Sequence, residues 1–226
     1  MTFSERPSPG ARDRFLQAAS RQSASRPGAW FRRIGLAAAA TIGWLLAILS
    51  VLGIRRDWTH LPMPSLMATV LGLTAAALLA SRVGLTRGRS MVGANSEVLR
   101  LVAAGLPVAL FLLVALLDPH GTATIESPSV LPHAWPCGLL VLLIALPLLG
   151  LGLWVLRGLV FSRPKLTGAC LGLASATWAH LLIRVHCPLG GAGHAIFGHL
   201  LPLLPLMAVG AWVLSASGRP KRRPAG

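Results

Sequence analysis

Acidic residues are scarce in this chain of 226 residues, and so are charged residues of any kind. Asp and Glu together number 6 and Lys and Arg 21, and charged side chains make up 12% of the sequence against 54% hydrophobic residues. This balance lies far outside the range of soluble domains and indicates a membrane protein. The few carboxylates also argue against a proton relay, because Glu97 and Asp118 lie at the edges of apolar runs.

Cysteine is also rare, and the familiar catalytic motifs are missing from the sequence. The 3 cysteines, Cys137, Cys170 and Cys187, form no CxxC pair, which argues against a zinc ribbon or a thioredoxin-like site. The sequence contains no phosphate-binding loop, nucleophile elbow or HExxH motif. We therefore expect a protein that is not an enzyme and uses no cofactor.

Long apolar segments are abundant instead, and six of them predict six transmembrane helices. Each is close to the ~20 residues that cross a ~30 Å hydrocarbon core as a helix. The predicted fold is an all-α, six-helix transmembrane bundle over residues 34–214, between an N-terminal tail of residues 1–33 and a basic C-terminal tail of residues 215–226. The predicted spans are 34–54, 63–81, 101–117, 137–156, 166–183 and 195–214.

The basic residues orient this bundle. Eighteen of the 21 Lys and Arg residues lie in the two tails and in the second and fourth loops. The positive-inside rule therefore places both termini in the cytoplasm, and the basicity reflects topology rather than nucleic-acid binding. All 7 histidines then lie in outer loops or in the outer halves of spans. Among them, we interpret His180 as hydrogen-bonded to a neighbour and His194 as a loop residue, rather than as ligands.

Two of the cysteines are predicted to meet at the outer face. Cys137 begins the fourth span and Cys187 follows the fifth, so both lie at the outer membrane interface. The short loop between these spans makes them an antiparallel hairpin, which brings their outer ends together. Cys170 lies about 25 Å deeper at 1.5 Å per helical residue, and we interpret it as a packing residue.

Three interpretations of the Cys137 and Cys187 pair remain open. A structural disulfide is the usual fate of two outer-face cysteines in an oxidising periplasm. A regulated thiol pair is the second: His186, with Arg184 and His133 near it, would ease oxidation of a thiol or add nitrogen ligands for a soft inducer metal. A catalytic redox pair is the third, and it lacks the usual vicinal or CxxC cysteines.

A series of landmarks runs through the second half of the chain. Trp135 precedes Cys137 by two residues, Pro147 lies in mid-span, and the sequences RPKLTG and HCP stand at residues 163–168 and 186–188. Together these features resemble the NrsF-like family of membrane anti-sigma factors, which regulate SigF-type extracytoplasmic-function sigma factors negatively. The likeness extends over about residues 32–214.

The resemblance implies a protein of the bacterial inner membrane that binds an extracytoplasmic-function sigma factor at the cytoplasmic face and releases it under oxidative or heavy-metal stress. It implies that Cys137 and Cys187 are the sensing cysteines. Family tails carry a short amphipathic stretch before the first span, and the candidate sigma contacts here are Arg14, Phe15 and Leu16. The expected partners are the sigma factor and the lipid bilayer, with no direct contact to nucleic acid.

A small membrane transporter or metal-ion channel is the alternative function. Outer-face His and Cys side chains would supply its ligands, and prolines within the spans would kink its helices. Such a protein needs a polar path across the membrane, for which the inner halves of the spans offer only Thr, Ser and Cys170.

Overall fold

The computed structural model describes residues 27–55, 63–85, 105–110, 130–159, 163–187 and 192–217, with the single positions 10, 102, 112, 113 and 161. Within these residues every regular element is a helix, in agreement with the all-α prediction. The elements are α1 (Pro27–Leu52), α2 (Met63–Leu85), α3 (Val130–Val155), α4 (Pro164–His186), α5 (Ala192–His194), a π-helical segment (Ala195–Leu200) and α6 (Leu203–Ser217).

Five helical stretches in the described residues are long and apolar enough to cross a membrane. They correspond to the first, second, fourth, fifth and sixth predicted spans. The third predicted span, 101–117, lies mostly outside the described residues, although residues 105–110 are helical. The five stretches are Gly28–Leu52, Met67–Leu85, Ala134–Val155, Pro164–His186 and Ala195–Ser217.

Proline and glycine set several helix ends, so these ends differ from the limits of the apolar runs. α1 begins at Pro27 and α4 at Pro164, because the fixed φ of proline and its missing N–H suit the first helical turn. Gly53 follows α1 with a φ of 73°, and Gly158 ends the turn after α3 with a φ of 84°. Only glycine adopts such a left-handed conformation without a steric cost.

α4 lies at the centre of the bundle and packs against α1, α2, α3 and α6. Glycines on the surface of α4 allow a neighbouring helix to approach it closely. A Cβ atom at Gly168 would overlap the backbone of Gly210 in α6, and one at Gly172 would overlap the backbone of Leu206. The GxxxG step of α4 therefore brings the backbones of α4 and α6 into direct contact.

Several polar side chains of the described helices form hydrogen bonds within the bundle. The hydroxyls of Ser175 and Thr177 donate to carbonyl oxygens of their own helix α4, at 2.9 and 2.7 Å. The indole N–H of Trp44 donates across to the carbonyl oxygen of Ile144, so that α1 is linked to α3 at 3.1 Å. Such bonds satisfy polar groups where water is excluded.

Because of the antiparallel packing of the helices, helix ends from different parts of the chain lie together at each side of the bundle. The guanidinium of Arg33 near the start of α1 donates to the carbonyl oxygen of Arg157 just after α3. At the opposite side, the backbone N–H of Arg55 after α1 donates to the carbonyl oxygen of Val185 near the end of α4. The start of α3, the end of α4 and the segment that precedes α6 meet at this second side, and they carry the candidate site.

Candidate functional site

Four side chains that can bind metal or undergo oxidation converge at this end of the bundle. Cys137 lies near the start of α3, Cys187 directly follows α4, His194 ends α5 and His199 belongs to the π-helical segment. Their sulfur and ring-nitrogen atoms all lie within 4.8 Å of one another. We call these four residues the thiol–imidazole cluster.

The cluster forms a chain of close contacts. The Sγ atoms of Cys137 and Cys187 are 3.8 Å apart, and Nε2 of His194 lies 3.4 Å from the Cys187 Sγ. The Nε2 atoms of His194 and His199 are 3.1 Å apart. A disulfide bond measures about 2.05 Å, so the two sulfur atoms are in contact but not bonded to each other. Cys187, His194 and His199 are buried, whereas Cys137 is partly exposed.

The π-helical segment explains why two histidines five residues apart face the same way. Five residues of α-helix turn through about 500°, which would direct His194 and His199 to different sides. In a π-helix the hydrogen bonds join residues five apart, as they do between the N–H of Leu201 and the carbonyl oxygen of Ile196 at 2.9 Å. Residues five apart therefore stack, and both rings reach the thiols.

Two glycines let α3 approach the π-helical segment closely enough to add Cys137 to the cluster. A Cβ atom at Gly198 would lie 3.0 Å from the carbonyl oxygen of Ala134 and 3.5 Å from the Cys137 Cβ. A Cβ atom at Gly138 would lie 3.4 Å from the carbonyl oxygen of Gly198. The absence of a side chain at these positions thus allows Cys137 and His199 to belong to the same cluster.

Residues of α4 form the wall behind the histidines. The buried ring of His180 packs edge-on against His199, with centroids 5.2 Å apart and planes inclined at 80°. Arg184 lies one turn after His180 on the same helix. Within the described residues the Nδ1 atom of His199 is buried with no hydrogen-bond partner, so the Nε2 edge of this ring carries its polar contacts with the cluster.

The structure brings together some of the residues that the sequence singled out. Cys137 and Cys187 are in contact, whereas Nδ1 of His186 lies 3.1 Å from the carbonyl oxygen of Gly53, to which the ring donates. His133 belongs to the first turn of α3, and its side chain lies outside the described residues. The proposed sigma contacts also lie outside them; these are Arg14, Phe15 and Leu16.

His194 and His199 are the two cluster members that the sequence did not predict as ligands. The interpretation of His194 as a loop residue rested on its glycine-rich surroundings, and His199 was assigned only to the outer half of a span. The pattern that could have revealed them is their position 7 and 12 residues after Cys187. At α-helical spacing, however, two histidines five apart do not share a face.

The cluster supports two kinds of chemistry. Two thiols in contact can lose two electrons and two protons to form a disulfide. Alternatively, two thiolates and two imidazoles form the donor set of a four-coordinate soft or borderline metal ion.

Comparison with known proteins assigns the family. The model of the family described as negative regulator of sigma F, NrsF, matches residues 18–218. The chain belongs to the NrsF family. The family predicted from the landmarks around Cys137 is therefore confirmed.

A curated relative within the NrsF family is the anti-sigma-F factor NrsF of Caulobacter vibrioides (strain NA1000 / CB15N), which is 36% identical over 81 residues. The alignment covers 35% of this chain and 38% of that relative, so it spans well under half of either protein. No solved structure matches the chain significantly.

Proposed function

We propose that the chain is a membrane-embedded anti-sigma factor that holds an extracytoplasmic-function sigma factor at the cytoplasmic face and releases it when Cys137 and Cys187 are modified. The observation that carries this proposal is the 3.8 Å contact between two thiols on different helices of an NrsF-family protein.

The distribution of charge supports a periplasmic position for the cluster. Three basic residues are exposed at the end of α3 and the start of α4, on the side of the bundle away from the thiols: Arg157, Arg163 and Lys165. Basic loops favour the cytoplasm in an inner membrane. With this orientation the thiols face an oxidising compartment, and the tails face the sigma factor.

The proposed switch is a two-electron oxidation of the thiol pair. Hypochlorous acid is a suitable oxidant: a bond forms between the two sulfurs, the thiols release two protons, and the oxidant takes two electrons and becomes chloride and water. The sulfur atoms must then approach from 3.8 Å to about 2.05 Å. The start of α3 and the end of α4 consequently shift relative to each other.

Hydrogen bonds next to Cys187 link the end of α4 to α1 and thereby transmit this movement toward the cytoplasm. Val185 and His186 each hydrogen-bond to the segment that follows α1, through the N–H of Arg55 and the carbonyl oxygen of Gly53. A displacement at the end of α4 therefore pulls on α1, whose opposite end leads into the N-terminal tail. Such a two-arrangement bundle would bind the sigma factor in only one arrangement.

A transcription reporter tests this proposal in cells. The sigma factor is first identified by co-purification with the chain, and a promoter that it reads then drives the reporter. We expect hypochlorite to raise output in cells with the wild-type chain or the control Cys170→Ser. The Cys137→Ser and Cys187→Ser variants should hold output in one state at unchanged protein level. A full response in the double Ser variant would refute the thiol switch.

A further inference from the structure

We propose that Cys137, Cys187, His194 and His199 together bind one four-coordinate divalent metal ion of the zinc class in the resting protein. This inference deepens the proposed function, on which it rests for its biological role, because it names what the two cysteines hold before stress arrives. In that state both are thiolates, so their two-electron oxidation to the disulfide releases the zinc ion in place of the two protons. The two histidine ligands distinguish this resting site from a site in which the cysteines alone capture an inducer metal.

The spacing of the ligand atoms fits a tetrahedral ion. Bonds of about 2.3 Å from zinc to sulfur and 2.0–2.1 Å to nitrogen give tetrahedron edges of about 3.8 Å between sulfurs, 3.5 Å between sulfur and nitrogen, and 3.3 Å between nitrogens. Three of the six distances in the cluster match these edges: 3.8 Å between Cys137 and Cys187, 3.4 Å between Cys187 and His194, and 3.1 Å between His194 and His199. No two ligand atoms are more than 4.8 Å apart, so each needs to move by less than about 1 Å.

The donor set selects the class of ion. Two sulfurs and two imidazole nitrogens suit zinc and other borderline or soft ions, whereas calcium and magnesium require oxygen ligands. Two thiolates also cancel the double positive charge of such an ion. A neutral complex is the form that a buried site tolerates, because an uncompensated charge is costly there.

The placement of the ligands indicates a closed, structural type of site. All four positions of the tetrahedron come from the protein, which leaves none for water or a substrate. The ligands belong to α3, to the end of α4 and to the segment before α6, so one ion would hold three parts of the bundle together. Cys137 is the partly exposed member, and it marks the side from which an ion would enter.

Metal analysis of the purified full-length protein tests the inference. The chain is extracted in detergent, loaded with zinc chloride and separated from free ion, and its zinc content and affinity are measured. We expect about one zinc per wild-type chain and at least a tenfold loss of affinity in Cys137→Ser, Cys187→Ser, His194→Gln and His199→Gln. The controls His186→Gln and Cys170→Ser should bind zinc as the wild type does.

Two further measurements keep the result interpretable if a variant folds poorly. X-ray absorption at the zinc edge of the wild-type protein should show two sulfur and two nitrogen neighbours, and a cobalt(II)-loaded sample should show thiolate-to-cobalt absorption. Coordination by sulfur without nitrogen would overturn the proposal, and so would wild-type zinc affinity in both His variants or no zinc binding at all.

Zinc binding is measured without a sigma factor, which separates the two proposals. Zinc bound by these four ligands in a protein that binds no sigma factor would refute the proposed function alone. Sigma release that depends on both cysteines in a protein without the zinc site would refute this inference alone.

Discussion

Replacing Gly198 by alanine is expected to weaken metal binding at the thiol–imidazole cluster while leaving the helices folded. The added Cβ would lie 3.0 Å from the carbonyl oxygen of Ala134, where ordinary contacts are 3.4 Å or longer, and 3.5 Å from the Cys137 Cβ. The start of α3 must therefore move away from the π-helical segment by about 0.4 Å. This movement separates Cys137 from His199.

The size of the effect follows from two opposing terms. Overpacking of a tight contact costs about 1–3 kcal/mol, whereas exchanging Gly for Ala within a helix gains about 0.5–1 kcal/mol. The gain acts on the helix with or without the metal, but the strain grows when the ligands close on an ion. If about 1.4 kcal/mol of strain falls on the metal-bound form, zinc affinity drops tenfold.

The assay compares zinc affinity by competition with a chelating dye for three purified chains: wild type, Gly198→Ala and Gly150→Ala. Gly150 is the matched control, because it lies within α3 and a Cβ there meets no atom within 4 Å. We expect Gly150→Ala to bind zinc as the wild type does. Equal affinity in all three chains, with helical content unchanged, would refute the claim that the glycine contact positions Cys137.

Three further predictions concern the bundle, the coupling and the tail. Gly168→Ile is expected to prevent folding, because the new side chain would overlap the backbone of α6. The control Gly35→Ile on α1 should fold, because a Cβ there meets no atom within 4 Å. Thermal unfolding in detergent compares the two variants. His186→Phe removes the hydrogen bond to the carbonyl oxygen of Gly53 but leaves both cysteines in place. Hypochlorite should therefore still form the disulfide, as mass spectrometry would show, while the sigma factor still co-elutes with the chain. Normal release of the sigma factor would contradict the link between α4 and α1 through His186. Deleting residues 1–26, which precede α1, should abolish sigma binding in a pull-down, and intact binding would exclude this segment as the contact.

Much of the architecture could be predicted from the sequence for a physical reason. A chain in lipid must satisfy its backbone within each segment, so a long apolar run has few alternatives to a helix. The contact between Cys137 and Cys187 could also be anticipated, because a short connection makes α3 and α4 a hairpin. The GxxxG spacing of Gly168 and Gly172 is typical of close helix packing, but it does not identify α6 as the partner helix.

The histidine members of the cluster could not be predicted for equally physical reasons. His186 was favoured because it is adjacent to Cys187 in sequence, but side chains of successive helical residues point about 100° apart, and this ring turns toward Gly53. His194 and His199 share a face only because the chain makes a π-helical turn between them. Hydropathy does not reveal such a turn, since every residue of Ala195–Leu200 except His199 is apolar or glycine.

The most direct test of the account measures the affinity of the sigma factor for the purified chain in lipid nanodiscs before and after oxidation of the thiols. The account predicts tight binding with reduced thiols, at least tenfold weaker binding once mass spectrometry shows a disulfide between Cys137 and Cys187, and recovery after reduction. A sigma factor that binds the disulfide form as tightly as the reduced form would contradict it.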